Sequence, residues 1–218
     1  MVVSAAQVLF VNVGGVRNVD SEDRTIETAI WKSPVEGRVP VRGVNVSGDD
    51  QANRSVHGGE HKAVYAYAWE DTLWWQEELG RELEPGNFGE NLTLGGVAVP
   101  EAVVGERWRV GSALLEVSEP RFPCFKLGLR MGDPRFVKRF AAERRTGTYL
   151  RIVEEGDVGA GDAIEIRERP DHGVTIGLFA EAYLDDHSLA ERLLEAPVAP
   201  KWRSWAERKV QAPQSRRQ

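Results

Sequence analysis

The chemistry this chain can do starts from one thiol. Cys124 is the single cysteine in 218 residues, within Glu119-Pro120-Arg121-Phe122-Pro123-Cys124-Phe125-Lys126. Arg121 and Lys126 place positive charge near it along the chain. Neighbouring cations favour the thiolate, which is the form that attacks electrophiles and binds metals. A lone cysteine is also often a small buried hydrophobe. Residue type alone leaves both readings open.

A second stretch with chemical content is Arg54-Ser55-Val56-His57-Gly58-Gly59-Glu60-His61-Lys62. As a string it matches the H-x-x-E-H zinc-hydrolase pattern. That pattern needs both histidines on one helix face. Here two adjacent glycines separate them, each costing about 1 kcal/mol in a helix interior. A strand-like run follows at once, so the zinc reading is rejected. Glycines let backbone N–H groups approach a ligand closely and form anion-binding nests. Arg54, His57 and Lys62 flank this pair. The competing reading is a hairpin turn with solvated charges, and the stretch alone does not decide.

The third stretch is Pro85-Gly86-Asn87-Phe88-Gly89-Glu90-Asn91-Leu92. The Asn91 amide both donates and accepts hydrogen bonds, which suits the edge of a heterocycle. In isolation an Asx turn is the better explanation of the loop. No G-x-x-x-x-G-K-[ST] or G-x-S-x-G string occurs. A Cys–His–Asp protease is disfavoured because Cys124 follows Pro123 with no helix-opening nucleophile pattern around it.

The elements that position these stretches read mostly as short strands. Residues 7–13 are apolar and β-branched and end at Gly14-Gly15. Residues 17–25 are polar and read as a loop. Strands follow over residues 25–31, 38–46 and 63–68. Residues 70–79 have helical spacing that Gly80 stops. Further short strands are expected at 92–94, 107–110, 113–117, 149–153 and 163–167. Asp133-Pro134 opens a helix that runs to about Arg145. Tight turns favour a β-barrel over parallel crossover units, since most connections are too short to hold a helix. From Gly173 the spacing becomes helical, giving three short helices that cannot bury a core alone. Residues 211–218 read as a frayed tail.

Composition sets limits on these readings. The net charge is −6, so any anion site is a local basic cluster rather than a general surface. This argues against nucleic acid as a partner. One cysteine forms no internal disulfide, which fits a reducing compartment. The start shows no signal-peptide pattern and no apolar run approaches a membrane span. A cytoplasmic protein is expected. Trp202 and Trp205 serve either a homodimer contact or the packing of the tail.

Taken in order, Arg54-x-x-His57-Gly58-Gly59, Phe88-Gly89-Glu90-Asn91-Leu92 and Pro120-Arg121-x-Pro123-Cys124 closely resemble the MOSC domain. The resemblance runs from roughly Ile26 to Arg167, and the tail resembles the three-helix extension of YiiM-type members. It implies a mainly β, barrel-like domain over residues 1–170 with a few peripheral helices, and a helical extension over 171–210. It also implies a molybdopterin-type molybdenum cofactor, with Cys124 as catalytic residue and molybdenum ligand. Lys32, Arg38, Arg42, Arg54, Lys62 and Arg121 become candidates for its phosphate, since arginine suits bidentate phosphate contacts. His57, Gly58, Gly59, Phe88, Gly89, Glu90 and Asn91 become candidates for the rest of the cofactor. One position departs from the family pattern: Asn53 stands where a carboxylate is common, with Asp49 and Asp50 nearby. The activity implied is reduction of N-hydroxylated compounds such as 6-hydroxylaminopurine, hydroxylamines and amidoximes. A single cysteine cannot hold an iron–sulfur cluster, so electrons come from a separate flavin or iron–sulfur reductase. The alternative is a cofactor carrier or a sulfur-transfer protein acting through Cys124.

Overall fold

The computed structural model describes residues 5–21, 24–52 and 58–211. Strand β1 (Gln7–Val13) forms where the apolar run predicts it and buries Val8 and Val11. Next come β2 (Arg17–Ser21) and β3 (Arg24–Thr28), a separate antiparallel pair. Within residues 17–25, read from the sequence as a loop, 17–21 and 24–25 therefore lie in paired strands. Both faces of β2 carry polar side chains and are largely exposed, so no apolar alternation marks it. The short β4 (Ser33–Pro34) pairs with β1. Strands β5 (Val39–Arg42) and β6 (Asn45–Val46) join β12 (Gly156–Val158) in a three-stranded sheet.

The main sheet has eight strands. Its order is β13 (Ile164–Glu168), β9 (Arg107–Val110), β10 (Ala113–Pro120), β11 (Thr148–Glu154), β7 (Val64–Ala68), β8 (Leu92–Gly95), β1 and β4. Every neighbouring pair is antiparallel except β7 with β8. A parallel pair needs a crossover. Helix α1 (Trp69–Leu79) supplies it and ends at Gly80, which takes the left-handed conformation (φ 61). All five residues of β7 are buried, as suits a strand covered on both faces.

The closed barrel expected from the tight turns is not formed by strand pairing. The sheet is open, with β4 and β13 at its edges. Its ends approach each other at the isolated bridge between Gln7 and Ala163, where the Ile164 N–H donates to the Ala6 carbonyl at 2.9 Å. The architecture is a large mixed sheet with several helices.

Two apolar clusters hold it together. One lies under the sequence that carries the cysteine. Helices α2 (Phe125–Met131) and α3 (Phe136–Glu143) pack with α1 around Tyr67, Trp75, Phe88, Phe136 and Phe140. The Tyr67 and Phe88 rings stack at 4.4 Å, and the Trp75 indole N–H donates to the Tyr67 hydroxyl at 3.0 Å. The other cluster joins the sheet to α4 (Ile176–Leu184), a 3-10 segment (His187–Glu195) and α5 (Pro200–Gln211). Phe122 packs on this second cluster, its ring 4.4 Å from Tyr183 and 5.3 Å from Trp202. Trp202 and Trp205 thus serve the tail's own packing. Residues 212–218, read as frayed, lie outside the described residues. Among the described residues no helix is long and apolar enough to cross a membrane.

Candidate functional site

The segments after β3 and β6, the start of β7, the loop before β8, the β10–α2 junction and β11 converge on one cleft. It encloses about 610 Å³ of empty space, the open solvent at its mouth included. Arg121 and Cys124 line it from the cysteine stretch, and Phe88, Gly89 and Asn91 from the glycine loop. Lys32 and Lys62 line it from two further segments.

Cys124 is half-buried and stands at the N-cap of α2, its carbonyl accepting the Leu127 N–H at 2.9 Å. A helix therefore does open after the thiol, contrary to the expectation from Pro123. The apolar, aromatic residues that follow carry no capping pattern to reveal it.

Arg121 is 5% exposed, and its Nη1 has no hydrogen-bond partner. Its guanidinium carbon sits 5.7 Å from the Tyr65 ring centre and 5.8 Å from that of Phe140. Burial opposes its charge, but Tyr65, Tyr149 and Cys124 beside it hold its pKa above the ordinary arginine value. Buried polar groups are nearly always paired. A buried cation with an idle nitrogen at a cleft is therefore built to meet an anion. Tyr149, also lining the cleft, is pushed up to about 12 by burial, with Arg121 opposing the rise. Its phenol stays protonated at neutral pH.

On the opposite wall Lys32 forms a buried ion pair with Asp49. The Asp49 carboxylate also accepts the Gly14 N–H at 2.9 Å and the Asn91 amide at 2.9 Å. Asn91 is fully engaged, since its oxygen accepts the Tyr65 N–H at 3.0 Å and its nitrogen also reaches the Asn12 carbonyl. Its amide orients Asp49 rather than standing open to a heterocycle. Burial lowers the Lys32 pKa while Asp49 works against that. Gly86 takes φ +83 directly against this wall, and a Cβ there would meet the Lys32 carbonyl oxygen at 2.6 Å.

Lys62 is held from below. Its ammonium lies 3.7 Å from Oε1 of the buried Glu119 and 5.6 Å from the Tyr149 ring centre.

Other expected residues fall elsewhere. Arg38 pairs with Asp162 at 2.9 Å and Arg42 with Asp157 at 3.1 Å, both exposed on the smaller sheet. Arg38 precedes β5 and Arg42 ends it, and neither lines the cleft. Glu90 is buried beneath its loop, accepting the Gly86 and Phe88 N–H groups at 2.6 and 3.1 Å and the Thr93 hydroxyl at 3.0 Å. Gly59 (φ +98) caps the short 3-10 turn Glu60–Lys62 and, like Gly58, is not part of the lining. Arg54 and His57, with Asn53, lie outside the described residues. Asp49, Tyr65, Tyr149 and Lys126 also line the cleft. Asp49 and Asp50 were the carboxylates nearest Asn53. Tyr149 had no local signal, because only the pairing of Glu119 with Tyr149 across β10 and β11 brings it in.

Comparison with known proteins places this geometry. The MOSC domain matches residues 53–165. The uncharacterized protein YflK of Bacillus subtilis is 36% identical over 202 residues, covering 90% of this chain and 91% of that protein. A reductase of Gibberella moniliformis is 37% identical over 149 residues, 66% of this chain but 26% of the reductase. The crystal structure of YiiM from Geobacillus stearothermophilus superposes with a TM-score of 0.77 at 28% identity, covering 94% of this chain and 99% of that one.

Proposed function

Because this chain belongs to the MOSC domain family and is of its YiiM type, we propose that it is an oxidoreductase that reduces N-hydroxylated compounds. Its cleft holds a molybdopterin-type molybdenum cofactor. The observation that carries this reading is a half-buried thiol and a buried guanidinium with an unpartnered nitrogen in one cleft. The residues fit the group. A thiolate is a soft donor suited to molybdenum. Among the described residues no three His, Cys, Asp or Glu side chains gather around a metal position. A metal held by Cys124 would therefore bring its other ligands with it. The cofactor is anionic, and Arg121, Lys32 and Lys62 supply local positive charge within an acidic chain.

When bound, such a cofactor supplies the two-electron exchange that removes oxygen from an N–OH group, chemistry that no side chain provides. The chain's own part is positioning. Cys124 would hold the metal, and Arg121 would fix an anionic group of the cofactor. Tyr149 keeps its proton and offers an O–H to an oxygen in the cleft. Asp49 and Asn91 brace Lys32. Electrons come from a separate reductase, since the chain's single cysteine cannot hold an iron–sulfur cluster. The similarity to a fungal reductase supports the redox assignment. The substrate class rests on the family.

The test is protein purified from cofactor-competent cells, analysed for molybdenum and pterin fluorescence. It is then assayed for multiple-turnover reduction of 6-hydroxylaminopurine with a donor system. Cys124→Ala is expected to lose molybdenum and to fall to background activity. Wild-type rates in that variant would overturn the assignment. A persulfide on Cys124 after exposure to a sulfur donor, without turnover, would identify a carrier instead.

A further inference from the structure

A pair of arginines stands just outside the lining of the cleft. Both reach the ring of Trp31, a half-buried residue whose chain neighbours Ile30 and Lys32 line the cleft. The Arg17 guanidinium carbon lies 4.0 Å from the ring centre and that of Arg130 lies 5.8 Å from it. Arg17 is exposed on β2, and Arg130 is half-buried in the last turn of α2. Among the described residues no hydrogen bond or ion pair occupies either guanidinium. A cation in the last turn of a helix complements its dipole, but that role needs no second guanidinium beside it. Like charges gathered at one indole repel each other. Burial lowers the Arg130 pKa most, and Arg17 and Arg81 lower it further, against Glu90 and Glu84. Glu90 is already engaged by loop N–H groups and the Thr93 hydroxyl, and neither carboxylate reaches the Arg130 Nε.

Helix α2 leads from the cleft to this pair. Lys126 lines the cleft and ties α2 to β3, its ammonium donating to the Glu27 carbonyl at 2.7 Å. Arg130 follows four residues later, and side chains so spaced on a helix are neighbours, with Cβ atoms about 5–6 Å apart. We propose that Arg17 and Arg130 form a phosphate site beside the cleft, and that the protein takes its N-hydroxylated substrate as a phosphate monoester, the N–OH group in the cleft and the phosphate at the arginines. Two positive charges match a group that carries about −1.5 to −2 at neutral pH. Planar guanidinium forks suit its oxygens. The Trp31 ring positions both forks without neutralising either.

This inference rests on the reduction proposed above. Its binding test needs no turnover. Calorimetry on the full chain compares adenosine 5′-monophosphate with adenosine. The monophosphate is expected to bind about a hundredfold more tightly, roughly tenfold for each arginine, the low end for hydrogen bonds to charged groups. Arg17→Met and Arg130→Met should each weaken it about tenfold and leave adenosine unchanged. Arg17 is exposed and makes no hydrogen bond, so Arg17→Met tests the site even where Arg130→Met fails to fold. In cofactor-loaded enzyme, the KM for the 5′-monophosphate of 6-hydroxylaminopurine riboside should rise about tenfold in Arg17→Met with kcat kept. Equal affinity of the wild type for nucleotide and nucleoside would overturn the inference, as would unchanged monophosphate affinity in Arg17→Met. Inorganic phosphate bound as tightly as the monophosphate would make this a site for the free ion and overturn the substrate assignment. Monophosphate binding that is lost in Arg17→Met, in loaded protein that reduces no N–OH compound, would sink the catalytic reading and leave the phosphate site standing.

Discussion

Arg121 is a buried cation held among aromatic rings. Its guanidinium is buried, and among the described residues no carboxylate lies within ion-pair distance of it. Replacing buried charge by a well-packed apolar side chain is often neutral or stabilising by roughly 1–4 kcal/mol. Arg121→Met is therefore expected to unfold at an equal or higher urea midpoint than wild type in the ligand-free state. The same variant should lose phosphate binding and molybdenum content. A variant that is both less stable and still loaded would show that Arg121 is structural. Such opposition between stability and function marks binding machinery. In the sequence, Arg121 was legible as a cation near Cys124, because the two are three positions apart. Its idle Nη1 was not, since pairing depends on what β7, β11 and α3 bring around it.

The loop between α1 and β8 shows how an element is built for one conformation. Glu90 ties it from inside, accepting two loop N–H groups and the Thr93 hydroxyl. Burial raises the Glu90 pKa above the usual carboxylate range, against the lowering effect of those donors. A raised folded value means the native state holds the proton more readily than the unfolded chain. The associated stability is present below the unfolded pKa and is lost as pH rises through the folded one. Glu90→Gln removes this dependence and leaves an amide N–H₂ facing donors, a loss of about 1–3 kcal/mol. Its deficit relative to wild type should be largest near pH 4 and shrink toward neutrality, as followed by urea unfolding at successive pH values. Elements with a strong period were readable, as in Gln7–Val13 and Trp69–Leu79. Strand β2 and the helix after Cys124 were not. One is largely exposed on both faces, and the other lacks a cap. Arg38 and Arg42 illustrate the same limit: alternation placed them together, but which sheet face turns to the cleft is a tertiary fact.

At the scale of the whole molecule, sheet and tail share one core. Leu115 and Leu150 of the sheet belong to the same cluster as Phe179, Leu193 and Ala206 of the tail. Unfolding is therefore expected as a single transition, with tryptophan fluorescence and far-UV circular dichroism coinciding along a urea series. Separate transitions would mean that the tail is an independent unit. Tryptophans report from each layer: Trp75 beneath the cleft, Trp108 in the sheet, Trp202 in α5. The tie at Glu119, whose carboxylate accepts the Lys201 ammonium and the Trp202 indole N–H, has a consequence for synthesis. Cys124, Arg121 and Lys62 are all made well before Lys201 and Trp202, whose partner Glu119 lies 82 and 83 residues upstream. A chain still emerging from the ribosome carries the thiol and the cleft walls but not the helix that completes the hydrogen bonds of Glu119. The core shared by sheet and tail closes only on chains that have been completed, so the last helix works as a seal of completion on the fold.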